Sequence, residues 1–336
     1  MKKTLLTLLA ATAFVSNMLA IEANTVEIVY SGTTATVTVA SNISSYVAVS
    51  SGTSSHVKLV QAANFAGVDA TVDNEDGEII YVLSGSSADG EFYMEGAYKA
   101  TVELNGLTLT NPSGPAINIQ NGKRIELSAK KGTVSTISDG ANDTYNGCYH
   151  CKGHTKLKGK GTLNVAGNSK HAIYSKEYIE VKNLTLNITS AVKDAMHCKE
   201  YFLMESGTVN ISGSCDDGIQ VELDGLTSTG TTTEHEDEDS GNFYMTGGTL
   251  TISGYQGKAV KADGTLTLSG GSRNFTVADC EENALADGIS TVDAELDAAA
   301  DKVYTLGGRQ LPAGSKLQPG IYVVSRDGHL VKTVVK

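Results

Sequence analysis

The sequence predicts an all-β chain: a right-handed parallel β-helix of three-strand rungs, with an N-terminal β cap and a small C-terminal β domain. The first observation is one short phrase written four times: Lys170-His171-Ala172-Ile173, Lys193-Asp194-Ala195-Met196, Asp216-Asp217-Gly218-Ile219 and Gly257-Lys258-Ala259-Val260. Ala172 to Ala195 and Ala195 to Gly218 are each 23 residues, and Gly218 to Ala259 is 41. The excess of 18 matches one insertion, Leu223 to Ser240 (LDGLTSTGTTTEHEDEDS). A fixed period of this size marks a solenoid. The second observation is a set of apolar columns at the same period. Ile179, Phe202, Phe243 and Leu266 align, as do Val181, Met204, Met245 and Leu268, and Ile173, Met196, Ile219 and Val260. Each unit therefore holds three short strands whose alternate residues are apolar. Rungs pairing as parallel strands about 4.8 Å apart would stack those residues in a bore. The third observation is composition: 36 Gly, 4 Pro, no Trp, recurrent Thr and Val, and no long helical periodicity outside Val292 to Ala300. Period alone leaves handedness open, and strand twist favours right-handed crossovers.

Taken in order, the chain opens with Met1-Lys2-Lys3, an apolar run from Leu5 to Val15, and Ser16 to Ala20. That pattern reads as a secretory signal peptide over 1–20, cleaved near Ala20. No later apolar stretch reaches the roughly 18 residues that span a bilayer. Residues 21–101 alternate without a clean period and read as strands between Gly/Ser/Asn turns, such as Val26 to Tyr30 and Glu78 to Leu83. A solenoid needs its open end covered, and this region is the expected cap. Residues 102–277 carry the repeats. Residues 278–302, acidic and Ala-rich, read as a linker. Residues 303–336 hold further short strands. The five cysteines are an odd number, and Cys151 and Cys198 fall in a bore column with Ser175, Val221 and Ala262. Buried thiols are therefore expected rather than a disulfide framework. Cys148-Tyr149-His150-Cys151 with His154 has a zinc-like spacing, but strand residues three apart face opposite sides.

Chemistry is sought in the columns that do not fill the bore. His171, Asp194, Asp217 and Lys258 stack before the small residue, and Lys170, Lys193, Asp216 and Gly257 stack one position earlier. Asp194, Asp216 and Asp217 thus meet at one turn, and like charges on paired strands repel. Calcium is one remedy: its oxygens lie at about 2.3–2.6 Å, so carboxylates on successive rungs can clamp one ion. A salt-bridge ladder through Lys193 and Lys258 is the other. An outward column reads Tyr174, His197, Gln220 and Lys261, with Tyr149 on the previous rung. Such a mixed aromatic, amide and cationic face suits a polyol chain, and equally describes a solvated surface. The acidic run Glu234 to Asp239 in the insertion reads as a solvated surface or extra calcium ligands. The net charge of -12 argues against nucleic acid and anionic membranes.

The aspartate phrases, Gly247 to Ile252 and Gly257 to Gly264 together resemble exported, calcium-loaded carbohydrate-binding β-helix proteins akin to family 9 pectate lyases. The resemblance runs from Cys148 to Gly271. It implies calcium at the aspartate turns and binding of an acidic or cellulosic plant polysaccharide, and the leading reading is a non-catalytic binder. His171 and Lys258 depart from the family phrase. Separately, Val303 to Arg309, Leu317 to Val324 and Val331 to Lys336 resemble the C-terminal sorting domain of type IX secretion cargo in Bacteroidota. That resemblance implies contact with secretion machinery and a secreted or cell-surface location for what is expected to be a monomer. The alternatives are a calcium-dependent lyase, with Lys258 as the base for the C5 proton, or an adhesive surface protein with no glycan. Family 9 lyases place a carboxylate where this chain has Gln220.

Overall fold

The computed structural model describes residues 21–65, 67, 77–223, 239–282, 290–291, 302–305, 309–312, 320–326 and 329–335. The expected signal peptide, and 224–238 of the insertion, lie outside the described residues. What is described is all-β and dominated by large parallel sheets, the architecture expected of a parallel β-helix. No helix among the described residues is long and apolar enough to cross a membrane.

Three parallel series of strands run along the coil, called faces one to three. Face one is a ten-stranded sheet that includes Gly147–Cys151, His171–Ser175, Met196–Lys199, Ile219–Glu222 and Val260–Ala262. Faces two and three belong to a seventeen-stranded sheet. Face two includes Thr155–Gly159, Ile179–Val181, Tyr201–Met204 and Asn242–Met245. Face three includes Thr162–Ala166, Thr185–Ser190, Thr208–Ile211 and Thr249–Ile252.

The columns read from the sequence pair as parallel neighbours. Ile173 faces Met196, Met196 faces Ile219, and Ile219 faces Val260. Ile179, Phe202, Phe243 and Leu266 form the corresponding series on face two. The Phe202 and Phe243 rings stack with centroids 4.9 Å apart and planes 5° from parallel. Cys151, Ser175 and Cys198 share one buried column, and all five thiols are free. Outside the bore, polar copies also stack. Asn210 Nδ2 donates to Asn187 Oδ1, and Asn187 Nδ2 donates to Asn164 Oδ1, each at 2.9 Å.

Parallel pairing begins well upstream of Val102. Val57 faces Phe92, Phe92 faces Ile117, and Ile117 faces Tyr149. These steps of 35, 25 and 32 residues are irregular because the turns differ in length, while the strands keep register. The first hairpin, Thr25–Ser31 with Thr34–Val39, is antiparallel and joins the parallel sheet through Ile79–Ser87. At the other end, Cys280–Glu282 adds a parallel strand beside Val260–Ala262, inside the stretch read as a linker. Beyond it, Lys302–Thr305, Gly320–Arg326 and His329–Val335 pair antiparallel in a separate four-stranded sheet, with Ser290–Thr291 parallel to the last of them.

Gly218 replaces alanine in its column for a local reason. A Cβ there would lie 2.5 Å from the Ala259 carbonyl oxygen and 2.5 Å from Ile252 Cγ2. Gly218→Ala is therefore expected to destabilise the coil by about 1–3 kcal/mol, as overpacking does. Denaturant midpoints check this, and a change within about 0.5 kcal/mol, typical of an unconstrained surface site, would show that the backbone gives way freely.

Candidate functional site

The chain turns from face three into face one through the stacked phrase. The buried carboxylates there bind backbone first. Asp194 Oδ1 accepts the Asp217 N–H at 3.2 Å, and Asp217 Oδ1 accepts the Lys258 N–H at 2.6 Å. Each carboxylate thus fastens its rung to the next. Burial drives this, since an ionised carboxylate removed from water needs donors. Asp194 is 3% exposed and Asp217 6%, whereas Asp216 is exposed.

Asp194 also gathers two imidazoles. Its Oδ2 accepts from His197 Nδ1 at 2.9 Å and lies 3.3 Å from His171 Nδ1. His197 Nε2 then reaches Glu222 Oε2 at 3.4 Å. Burial and the neighbouring His197 push the His171 pKa down to about 3. Burial works against the charged form of His197 too, but hydrogen bonds to Asp194 and Glu222 outweigh it and raise its pKa. The atoms of His171, Asp194 and His197 lie close enough together to hold a metal ion.

The predicted calcium residues divide between two settings. Asp194 is engaged by the imidazoles. Asp216 and Asp217 converge above Gly257: a Cβ on that glycine would sit 2.3 Å from Asp217 Oδ1 and 3.3 Å from Asp216 Oδ1. Both residues offer the oxygen ligands that a hard cation takes, Asp216 from an exposed position and Asp217 from a buried one that already accepts the Lys258 N–H. Lys258 is turned elsewhere, its Nζ 3.8 Å from Glu281 Oε2 on the following rung.

The expected ligand column is real in register: Tyr174, His197, Gln220 and Lys261 are successive partners. Tyr149 does not belong to it. Tyr149 faces Ile173 inside the bore and is fully buried, and His150 pairs with Tyr174 instead. Alternation decides this, because neighbouring strand residues point to opposite sides. His150 stacks on Tyr174 with ring centroids 5.2 Å apart, and Tyr174 on His197 at 5.5 Å. The rings cover one another, so Tyr174 and His197 are only 7% and 6% exposed. The accessible end of the column is Gln220 and Lys261. Gln220 Nε2 donates to Glu222 Oε1 at 3.1 Å, and Lys261 Nζ lies 4.0 Å from Asp217 Oδ2. His150 and Glu222 were missed as site residues. The 23-residue step from Lys199 to Glu222, beside the His197–Gln220 step, would have found Glu222.

Residues 66–311, well over half the chain, match the carbohydrate-binding domain-containing protein family, and the chain belongs to it. Among solved structures, the polysaccharide lyase-like protein from C. thermocellum, determined as a gadolinium derivative, has the same fold at a TM-score of 0.53. Identity is 18%, over 77% of this chain and 99% of that one. No curated protein matches the chain.

Burial and the nearby Lys170 lower the His150 pKa to about 4. An unfolded histidine protonates near 6.5. Between these values the unfolded state binds more protons, so stability falls as pH drops. Melting temperature is expected to fall from pH 7 to pH 5, and to fall less in His150→Gln. An unchanged pH dependence in that variant would remove His150 as the cause.

Proposed function

We propose that the protein is a non-catalytic, calcium-dependent binder of an acidic polysaccharide of the polygalacturonate class. The observation that carries this reading is the pair of carboxylates converging above Gly257, beside the accessible Gln220 and Lys261. Asp216 and Asp217 would hold the ion, and Asp194 fixes the Asp217 backbone behind them. When bound, calcium bridges protein carboxylates and uronate carboxylates that would otherwise repel. Lys261 supplies a second positive group, and Gln220 offers hydrogen bonds to hydroxyls. Membership of a carbohydrate-binding family supports the polysaccharide; the ion and the acidic glycan rest on the residues.

The same proposal covers the wider organisation. The coil is taken as right-handed, with its cap at the antiparallel hairpin of Thr25–Ser31 and Thr34–Val39 rather than over the whole of 21–101. Residues 1–20 direct export, and 303–336 engage surface-secretion machinery, leaving a secreted or surface-bound monomer. A lyase would need a base poised over a bound uronate. Lys258 instead pairs with Glu281, which favours the binding reading.

A glycan array with added calcium, then with chelator, tests the proposal. Polygalacturonate is expected to bind with calcium and to be released by chelator. Asp216→Asn, at an exposed position, should weaken binding at least about tenfold, roughly 1.4 kcal/mol, without lowering the melting temperature. Binding that ignores chelator would remove calcium. Unsaturated-product absorbance abolished by Lys258→Ala would replace the binder with an enzyme.

A further inference from the structure

A second polar corner lies where face one turns into face two, away from the aspartates. The phrase Lys176-Glu177-Tyr178-Ile179 recurs 23 residues on as Lys199-Glu200-Tyr201-Phe202. Parallel pairing of Ile179 with Phe202 brings the two copies onto adjacent rungs. The Tyr178 and Tyr201 rings stack at 4.8 Å, and His154 lies over Tyr178 at 4.5 Å. The two glutamates are thereby brought side by side below one imidazole. Glu200 is 7% exposed, with its backbone in the left-handed region at φ 67. Its carbonyl oxygen accepts the N–H groups of Ser240 and Gly241, where the chain returns from the insertion.

Two carboxylates packed together in a buried corner repel unless something positive separates them. One rung earlier the fold meets the same problem with an arginine: Arg124 pairs with Glu78 and with Glu126. Arg124 precedes Ile125 as His154 precedes Thr155, and Ile125 and Thr155 are register partners. At the glutamate pair the position holds an imidazole. Its Nε2 lies 3.8 Å from Glu177 Oε2 and 3.5 Å from Glu200 Oε2. Glu200 Oε2 is buried and receives no hydrogen bond from an N–H or O–H donor among the described residues. These separations are long for hydrogen bonds. They approach the spacing of about 3.3 Å between ligands arranged tetrahedrally at about 2.0–2.1 Å from one ion.

We propose that His154 Nε2, Glu177 Oε2 and Glu200 Oε2 form a binding site for one divalent cation of the zinc class. All three ligand atoms lie within 4.8 Å of one another. The imidazole sets the preference: nitrogen with carboxylate oxygens suits zinc, whereas calcium takes oxygen alone. Three protein ligands leave a fourth position for water or a ligand group. The orphaned Glu200 oxygen gains a partner, and the charge of the glutamate pair is neutralised. The rings of Tyr178 and Tyr201 hold the imidazole and Glu200 in place through their stack. The site is independent of the aspartate turn and of the glycan reading.

The test uses the full chain, stripped with chelator and titrated calorimetrically with zinc in the presence of excess calcium. Zinc binding is expected to include one equivalent that depends on His154 and Glu200, accompanied by a rise in melting temperature. Loss of an outer partner already weakens metal binding about tenfold, so Glu200→Gln and His154→Gln should each weaken it by at least that. Glu200→Gln replaces the buried carboxyl by an amide of the same shape, so its metal-free melting temperature should not fall. Failure of the wild-type chain to bind zinc, or binding unchanged in both variants, would overturn the proposal.

Discussion

In a parallel ladder each side chain meets its counterpart on the next rung, about 4.8 Å away. Like stacks on like, and the rest of this structure depends on that constraint. Apolar copies gain from it, as with Phe202 on Phe243 or Ile173 on Met196. Amide copies gain as well, because Asn164, Asn187 and Asn210 each carry both a donor and an acceptor. Charged copies lose. Wherever an acid recurs at the period, the fold must supply a donor, a cation or a proton.

The two polar corners answer that demand differently. At the aspartate corner the carboxylates take backbone N–H groups from the following rung, and Asp194 takes two imidazoles besides. Its needs are met largely from within the coil, and the carboxylate left to face outward is that of Asp216. At the glutamate corner burial, together with the adjacent Glu177, pushes the Glu200 carboxyl up to about 9, toward the protonated form. Among the described residues that carboxyl lacks a donor at one oxygen. A corner of the first kind joins rungs and presents acids to solvent; a corner of the second kind is prepared to take up a positive group.

Much of the coil was legible from particular residues. The columns through Ile179, Met204 and Ile219 are pairings in the sheet, because burial selects apolar residues and the ladder repeats the selection at every rung. The early rungs were not legible. Val57, Phe92 and Ile117 are partners at unequal spacing, since turns of different length erase a period that the strands retain. Tyr149 was placed on the wrong side for a related reason, and His150 holds its position: a one-residue shift of register exchanges bore for surface.

By itself the sequence determined the rung contents, the stacking partners between Ile173 and Leu266, and the chain's membership of a carbohydrate-binding family. Tertiary structure decided which polar residues share a site. His171, Asp194 and His197 come from two rungs, and His154, Glu177 and Glu200 from three, and both groups sit at corners. A repeat names the residues that stack, but the direction of each side chain at a turn is set by local backbone and burial. Two aspartates adjacent in sequence therefore part company, Asp217 into the coil and Asp216 toward solvent.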